Sequence, residues 1–417
     1  MLRSLRRKEF PRGNYLWIVV NGFEYFFASG FPGSVRVFIA SLPGLSGLHV
    51  TQKPLIRIKD NNSNTKTHHP RVNTRREVNK FKPTIHSYLQ LIASNYRSVT
   101  GLYLRLIGLV VLLVAMYIAF MTSKYYLLFT TNLVFFAAIV LAWNIIGGYA
   151  GQLDLGSAGY MGVGAIVSSI LSNNIGLHPL ISIILGGLSS ALLAGAIGFP
   201  MFRFGVREVW YALSTAAIVV ILNNAVRLLI GPYEYYLRVR PIKTYDELYL
   251  ATSIALVLVF LLNHAVNNSR LGYYLKAIRE DELAAEAIGV DTRRYKLLAL
   301  MIYAFIVGSL GYLYVVMIGY FYTYRFFDTG ISVSIAILGI IGGLGSIEGC
   351  LVSAFLLRGV GEYLRTSLAH ITPGLHLLLY GAVLITLGVV EPEGIPGIAR
   401  RFTTLLKTTK RPMGGVK

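Results

Sequence analysis

The chain has 417 residues, 54% of them hydrophobic and only 14% charged, and its mean hydropathy is +0.59; soluble domains carry roughly a quarter charged residues, so an ordinary soluble enzyme is excluded. The formal charge of +20 sits in tails and loops, which favours an anionic membrane surface over a nucleic-acid partner. Cys350 is the one cysteine, so no disulfide framework or cysteine-based metal site can form within the chain.

Residues 1–100 read as a basic, irregular N-terminal extension. Ile58 to Pro83 is rich in Asn, Thr, Lys and Arg, a composition that favours solvation over a packed core. Tyr15 to Gly30 is apolar but short and follows Arg3, Arg6, Arg7 and Lys8. It fits a signal-peptide core, an interfacial segment, or part of an upstream stretch translated in error. This extension is set aside from the fold.

From residue 101 to 400 the pattern is an all-α polytopic membrane domain, because unbroken apolar runs satisfy their backbone in lipid as helices. Ten spans are expected: Leu102–Met121, Tyr125–Ile146, Leu155–Leu171, His178–Pro200, Val209–Ile230, Leu248–Val266, Leu297–Ile318, Ile331–Leu344, Gly349–Ala369 and Leu375–Val390. The third and eighth are short and Gly-rich, so they are read as tilted, broken or re-entrant. A basic tail, 401–417, follows. With Ser269–Lys296 in the cytoplasm, loops on that side hold 14 Lys and Arg against 5 on the other. The positive-inside bias therefore puts both termini in the cytoplasm.

The longest loop between spans is 269–296. Glu280 to Ile288 is rich in helix formers, Gly289 is a natural stop, and Asp291 or Thr292 can cap the next helix. Ala284, Ala285 and Ile288 share one small apolar face, flanked by Glu282 and Glu286. On pattern alone, docking into a partner's groove and a solvated amphipathic loop both remain open.

Four stretches carry a resemblance. Leu275-Lys-Ala-Ile-Arg-Glu-Asp-Glu-Leu-Ala-Ala-Glu-Ala-Ile-Gly-Val290 resembles the coupling loop of LivM-type permeases, the branched-chain amino acid ABC transporter family. Gly147–Ala165, Leu338–Gly349 and Glu391–Gly397 resemble that family's Gly-rich elements and C-terminal end, in the same order. The likeness implies an ABC importer permease fold in a prokaryotic plasma membrane. It also implies two ATPase subunits, a second permease of the LivH type, an external substrate-binding protein and an amino-acid cargo. The coupling residues implied are Glu280, Asp281, Glu282, Ala284, Ala285, Glu286 and Gly289. No cofactor is expected on this chain, since ATP belongs to the partners. Departures are Ser157 and Cys350, where the family often has His and Pro, and the segment Gly231–Pro241, which replaces a Gly/Asn-rich external stretch.

Two readings stand for the small residues Gly148, Gly156, Gly342, Gly343 and Gly345: close helix packing, or a partly unwound translocation path that also includes Gln152 and Asp154. Asp154 is expected to cap the third span at the cytoplasmic mouth. Arg358, Glu362 and Arg365 fall on one face of the ninth span, where mutual pairing is expected. Arg227 can snorkel outward. The chain has no Walker A motif and no His-Glu-x-x-His motif, so it is read as neither ATPase nor metalloenzyme. The rival cargoes are urea, amides or sugars; the rival class is an ion-coupled secondary transporter, for which only Glu362 speaks.

Overall fold

The protein is described from a computed structural model. It describes residues 85–368 apart from short gaps between 232 and 243, the hairpin residues 15–20 and 23–28, and isolated positions between 381 and 397. The chain divides into two compact units, Met1–Thr84 and Ile85–Lys417.

In the first unit, β1 (Tyr15–Val20) pairs antiparallel with β2 (Phe23–Ala28), with Tyr15 opposite Ala28 and Val20 opposite Phe23. The apolar stretch Tyr15–Gly30 thus contains this strand pair. Aromatic and β-branched residues flank Asn21-Gly22, the strongest short hairpin signal.

The second unit begins with α1 (Ile85–Phe120), earlier than the boundary expected near residue 100. Then come α2 (Lys124–Trp143), α3 (Ser157–Ile170), α4 (Pro179–Arg203) and α5 (Glu208–Ile230). After β3 (Tyr235–Tyr236) follow α6 (Tyr245–Asn267), α7 (Arg270–Glu280), α8 (Glu282–Ala287) and α9 (Thr292–Ile318). The described chain closes with β4 (Tyr320–Phe321), α10 (Thr323–Phe326), α11 (Thr329–Ile341) and α12 (Ile347–Leu368). Polar residues start several of these helices. Ser269, Asp281, Asp291 and Asp328 each accept a backbone N–H of the helix that follows.

Among the described residues seven helical segments are long and apolar enough to cross a membrane. They match the first, second, fourth, fifth, sixth and seventh expected spans, and the eighth, which runs Thr323–Ile341 across α10 and α11. The third expected span is the 14-residue α3, extended by a π-helical turn at Leu171–Ile175. The ninth is α12, which carries Arg358, Glu362 and Arg365 and is not among the seven. The tenth, Leu375–Val390, falls almost wholly outside the described residues, as does the basic tail.

The core forms around α2 and α9. Val134 to Trp143 is buried on every face, as expected of a helix surrounded by other helices. Where α9 crosses α3, a Cβ on Gly164 would lie 2.2 Å from the Gly308 carbonyl oxygen, and one on Gly311 would lie 2.3 Å from that of Met161. Small residues let these backbones touch, the usual solution where lipid provides no hydrophobic drive between helices. The turns after α5 and α9 share one end of the bundle, joined by the β3–β4 pair, Tyr235 opposite Phe321. The short helices α7 and α8 lead into α9 at the other end.

Candidate functional site

The loop 269–296 is two helices, not one. Asp281 is extended, with φ −159° and ψ 110°, and its carboxylate accepts the Ala284 N–H at 3.0 Å. The helix expected over Glu280–Ile288 is therefore α8 alone, Glu282–Ala287, with Asp281 as its cap. It ends as expected at Gly289, whose φ of 90° lies in the left-handed region that glycine enters without strain.

Its faces also differ from the expectation. Ala285 is 2% exposed and packs inward, so it does not share an outward face with Ala284. The outward face carries Leu283, 63% exposed, Ala284, and Ile288, 78% exposed. Glu282 turns inward as well. It accepts from Lys296 Nζ at 2.6 Å and from Thr292 Oγ1 at 3.3 Å, and it lies 3.5 Å from Arg207 Nε. Glu286 accepts from the same Thr292 hydroxyl at 2.7 Å. Lys296 is 2% exposed, and its ammonium lies 5.1 Å above the Phe202 ring. A buried ammonium needs such partners, since desolvation would otherwise neutralise it or expel it. Glu282 thus fastens α8 to α9 and to the turn between α4 and α5.

Arg279 makes the second connection. Its Nη1 donates to the Gly148 carbonyl at 2.7 Å and to the Leu344 carbonyl at 3.3 Å, and its Nη2 pairs with Glu280 at 2.9 Å. One guanidinium thus joins the loop to both Gly-rich stretches. Sequence reading counted Arg279 only as a charge on one side. Its position one residue before the Glu280-Asp281-Glu282 run was the available signal. Beside it, burial first and Arg279 second hold the Lys276 ammonium below the usual lysine pKa.

The two Gly-rich stretches pack on each other. Asn144 Oδ1 accepts the Gly345 N–H at 3.0 Å. A Cβ on Gly148 would meet Asn144 Oδ1 at 1.9 Å, and one on Gly342 would meet the Cys350 backbone at 2.8 Å. Gly345 has φ 81° and Gly343 φ 88°, so both sit in the left-handed region. On this geometry Gly148, Gly342 and Gly345 are close-packing positions. A Cβ on Gly156 would press on the Tyr160 ring at 3.0 Å.

Asp154 does not cap α3, whose N-cap is Gly156, and it is fully buried. Its Oδ1 accepts the Gly156 N–H at 2.8 Å; its Oδ2 accepts from Tyr211 at 2.9 Å and Tyr160 at 3.4 Å. The Trp143 indole donates to the Asp154 carbonyl at 2.9 Å, and Ser157 bonds the Tyr303 hydroxyl. The Ala158 N–H donates to Ser332 at 2.9 Å. The irregular segment before α3 is thereby pinned to α2 and α5, and the first turn of α3 to α9 and α11. Gln152 is half-buried nearby, its amide donating to the Ala150 carbonyl at 3.3 Å.

On α12, Glu362 and Arg365 form an ion pair. The Arg358 guanidinium lies 3.9 Å over the Phe136 ring of α2, a cation–π contact. The single charged face expected for these three is thus in part a contact between helices. At the opposite end from α8, the Arg227 guanidinium stacks 4.6 Å above the Tyr324 ring, where an outward snorkel was expected.

Long apolar helices with small-residue crossings place the chain among multi-pass membrane proteins. The family described as "Branched-chain amino acid transport system / permease component" matches residues 125–388. The chain belongs to this family and is a transport component rather than an enzyme. It is 25% identical over 329 residues to the high-affinity branched-chain amino acid transport system permease protein LivM of Escherichia coli (strain K12), covering 71% of this chain and 75% of that one. The protein of the same description from Salmonella typhimurium is 24% identical over 331 residues, covering 71% and 76%.

Proposed function

We propose that this chain is the membrane-spanning subunit of an ATP-driven importer that moves branched-chain amino acids across a prokaryotic plasma membrane. An external binding protein delivers the cargo. A second permease of the LivH type completes the path, and two ATPase subunits bind ATP and dock on α8 from the cytoplasm. Both termini face that side.

The observation that carries this reading is the construction of α8. Leu283, Ala284 and Ile288 face outward, while Glu282 ties the helix to Lys296 and Arg207. A partner gripping the outer face pulls on α9 and on the α4–α5 turn through short ionic contacts. Arg279 passes the same displacement to both Gly-rich stretches. Such a path needs stiff links, and charge-assisted hydrogen bonds supply them.

The test is a double variant, Leu283→Asp with Ile288→Asp, in cells that carry all subunits. Both side chains already face solvent, so insertion should be unchanged. ATPase subunits should no longer co-purify, and labelled leucine uptake should fall to background. Uptake at the unmodified rate would remove α8 from the docking role. Uptake of urea or a sugar in place of leucine by the unmodified complex would overturn the cargo.

A further inference from the structure

At the end of the bundle opposite α7–α8 lies a cavity of about 340 Å³, lined by residues of α5 and of the α10–α11 turn. Its size is at the small end of the range for small-molecule sites, roughly 300–1,000 Å³. One wall is apolar, from Val220 and Phe327. The rest holds two opposite charges, Arg227 and Asp328, with Asn223 and Asn224.

The polar groups here are set apart from one another. Arg227 stacks on Tyr324, and its Nε is buried without a hydrogen-bond partner among the described residues. Asn223 donates from Nδ2 to the Phe327 carbonyl at 3.3 Å, while its Oδ1 is buried and likewise without a partner. Asp328 Oδ1 accepts the Gly330 N–H at 2.8 Å, and the carboxylate has a second oxygen. The cavity thus brings a cationic residue, Arg227, an anionic one, Asp328, and an apolar wall to one small volume. A phosphate or lipid phosphate would meet repulsion from Asp328, and a simple amine would meet it from Arg227. A small molecule bearing both charges and an apolar branch meets neither.

We propose that this cavity receives a free α-amino acid as its zwitterion. Arg227 takes the carboxylate, Asp328 takes the ammonium, and Val220 and Phe327 take the aliphatic side chain. The proposal rests on the importer reading above, in whose orientation the cavity lies toward the outer end of the bundle, where a binding protein releases cargo. It adds a specificity filter to the permease itself: a ligand lacking either charge leaves the opposing protein charge unpaired.

The experiment uses the full complex in vesicles with Val220→Cys as reporter, since the native Cys350 is buried. Alkylation by a membrane-impermeant maleimide is followed as ligand is added from outside. Leucine should protect. Isoamylamine, which lacks the carboxylate, and 4-methylpentanoate, which lacks the ammonium, should need at least tenfold more. Arg227→Gln should weaken leucine tenfold or more and leave isoamylamine unchanged. Asp328→Asn, which keeps the capping oxygen, should weaken leucine and leave 4-methylpentanoate unchanged. Equal protection by all three ligands, protection by anions alone, or protection that ignores both substitutions would each overturn the site. Leucine uptake by the unmodified complex separates the two readings. Uptake without protection leaves the importer and removes the cavity; protection without uptake leaves the cavity and removes the importer.

Discussion

The two ends of the helical bundle handle charge in opposite ways. At the α7–α8 end the ionised groups are tied: Glu282 with Lys296 and Arg207, Arg279 with Glu280 and two carbonyls, Arg294 with Asp291. At the β3–β4 end Arg227 is stacked on an aromatic ring, and it shares a cavity with Asp328. A tied charge holds its helix in place and passes force onward. A charge held on a ring and facing a cavity remains available to a visitor. The same residue types therefore serve as joints at one end and as a reception site at the other.

That contrast can be broken most severely at Lys296. Lys296→Ala leaves Glu282 partly buried with its nearest cation removed, which should cost about 3–5 kcal/mol. Thermal inactivation in detergent should show it as a large fall in midpoint, together with loss of uptake. The pair Lys296→Met with Glu282→Gln should recover much of that stability, because no charge is then stranded. If the double variant is as unstable as the single one, the ion pair is not the joint.

Next in size is the crossing between the two ends. Gly308→Val forces a side chain against Ser190 Oγ, 2.2 Å from the ideal Cβ, with the Gly186 carbonyl at 3.2 Å. Overpacking of this kind costs about 1–3 kcal/mol, read in the same melt. A smaller effect, about 1–2 kcal/mol, is expected from Tyr211→Phe, which removes one charge-assisted donor from buried Asp154. It should slow uptake through the pinned segment without releasing the ATPases from α8, checked by co-purification.

The smallest effect sharpens the contrast. Asp328→Asn keeps a side-chain oxygen for the Gly330 N–H, and Asn caps a helix about as well as Asp. The melt should move by no more than a few tenths of a kcal/mol, although ligand protection at Val220→Cys changes at least tenfold. A joint responds in stability and a reception site in ligand response.

Much of the fold was legible because hydropathy is local. Runs such as Tyr125–Ile146 and Leu297–Ile318 declare their helices without reference to any neighbour, and α2 and α9 follow them closely. The loop was legible for a similar reason: Gly289 and Asp291 carry their own stop and start signals. The capping role of Asp281 was missed because helix formers on both sides hid a residue that caps α8 rather than continuing α7. Ala285 was misassigned because a six-residue helix has too little sequence to reveal which side the rest of the protein covers. Asp154 looked like a cap from its position before Ser157. Its actual partners, Tyr211 and Tyr160, bury its carboxylate instead.

By itself, then, the sequence determined the class of protein, most of its helices and the stop and start signals of the loop from Ser269 to Lys296, all properties of contiguous residues. Only the tertiary structure decided which face of α8 is outward, that Arg279 bridges Gly148 and Leu344, and that Arg227 and Asp328 line one cavity. Those are contacts between residues far apart in the chain. They exist only once the helices have packed, because glycine-lined crossings such as Gly164 on Gly308 set how closely the helices approach.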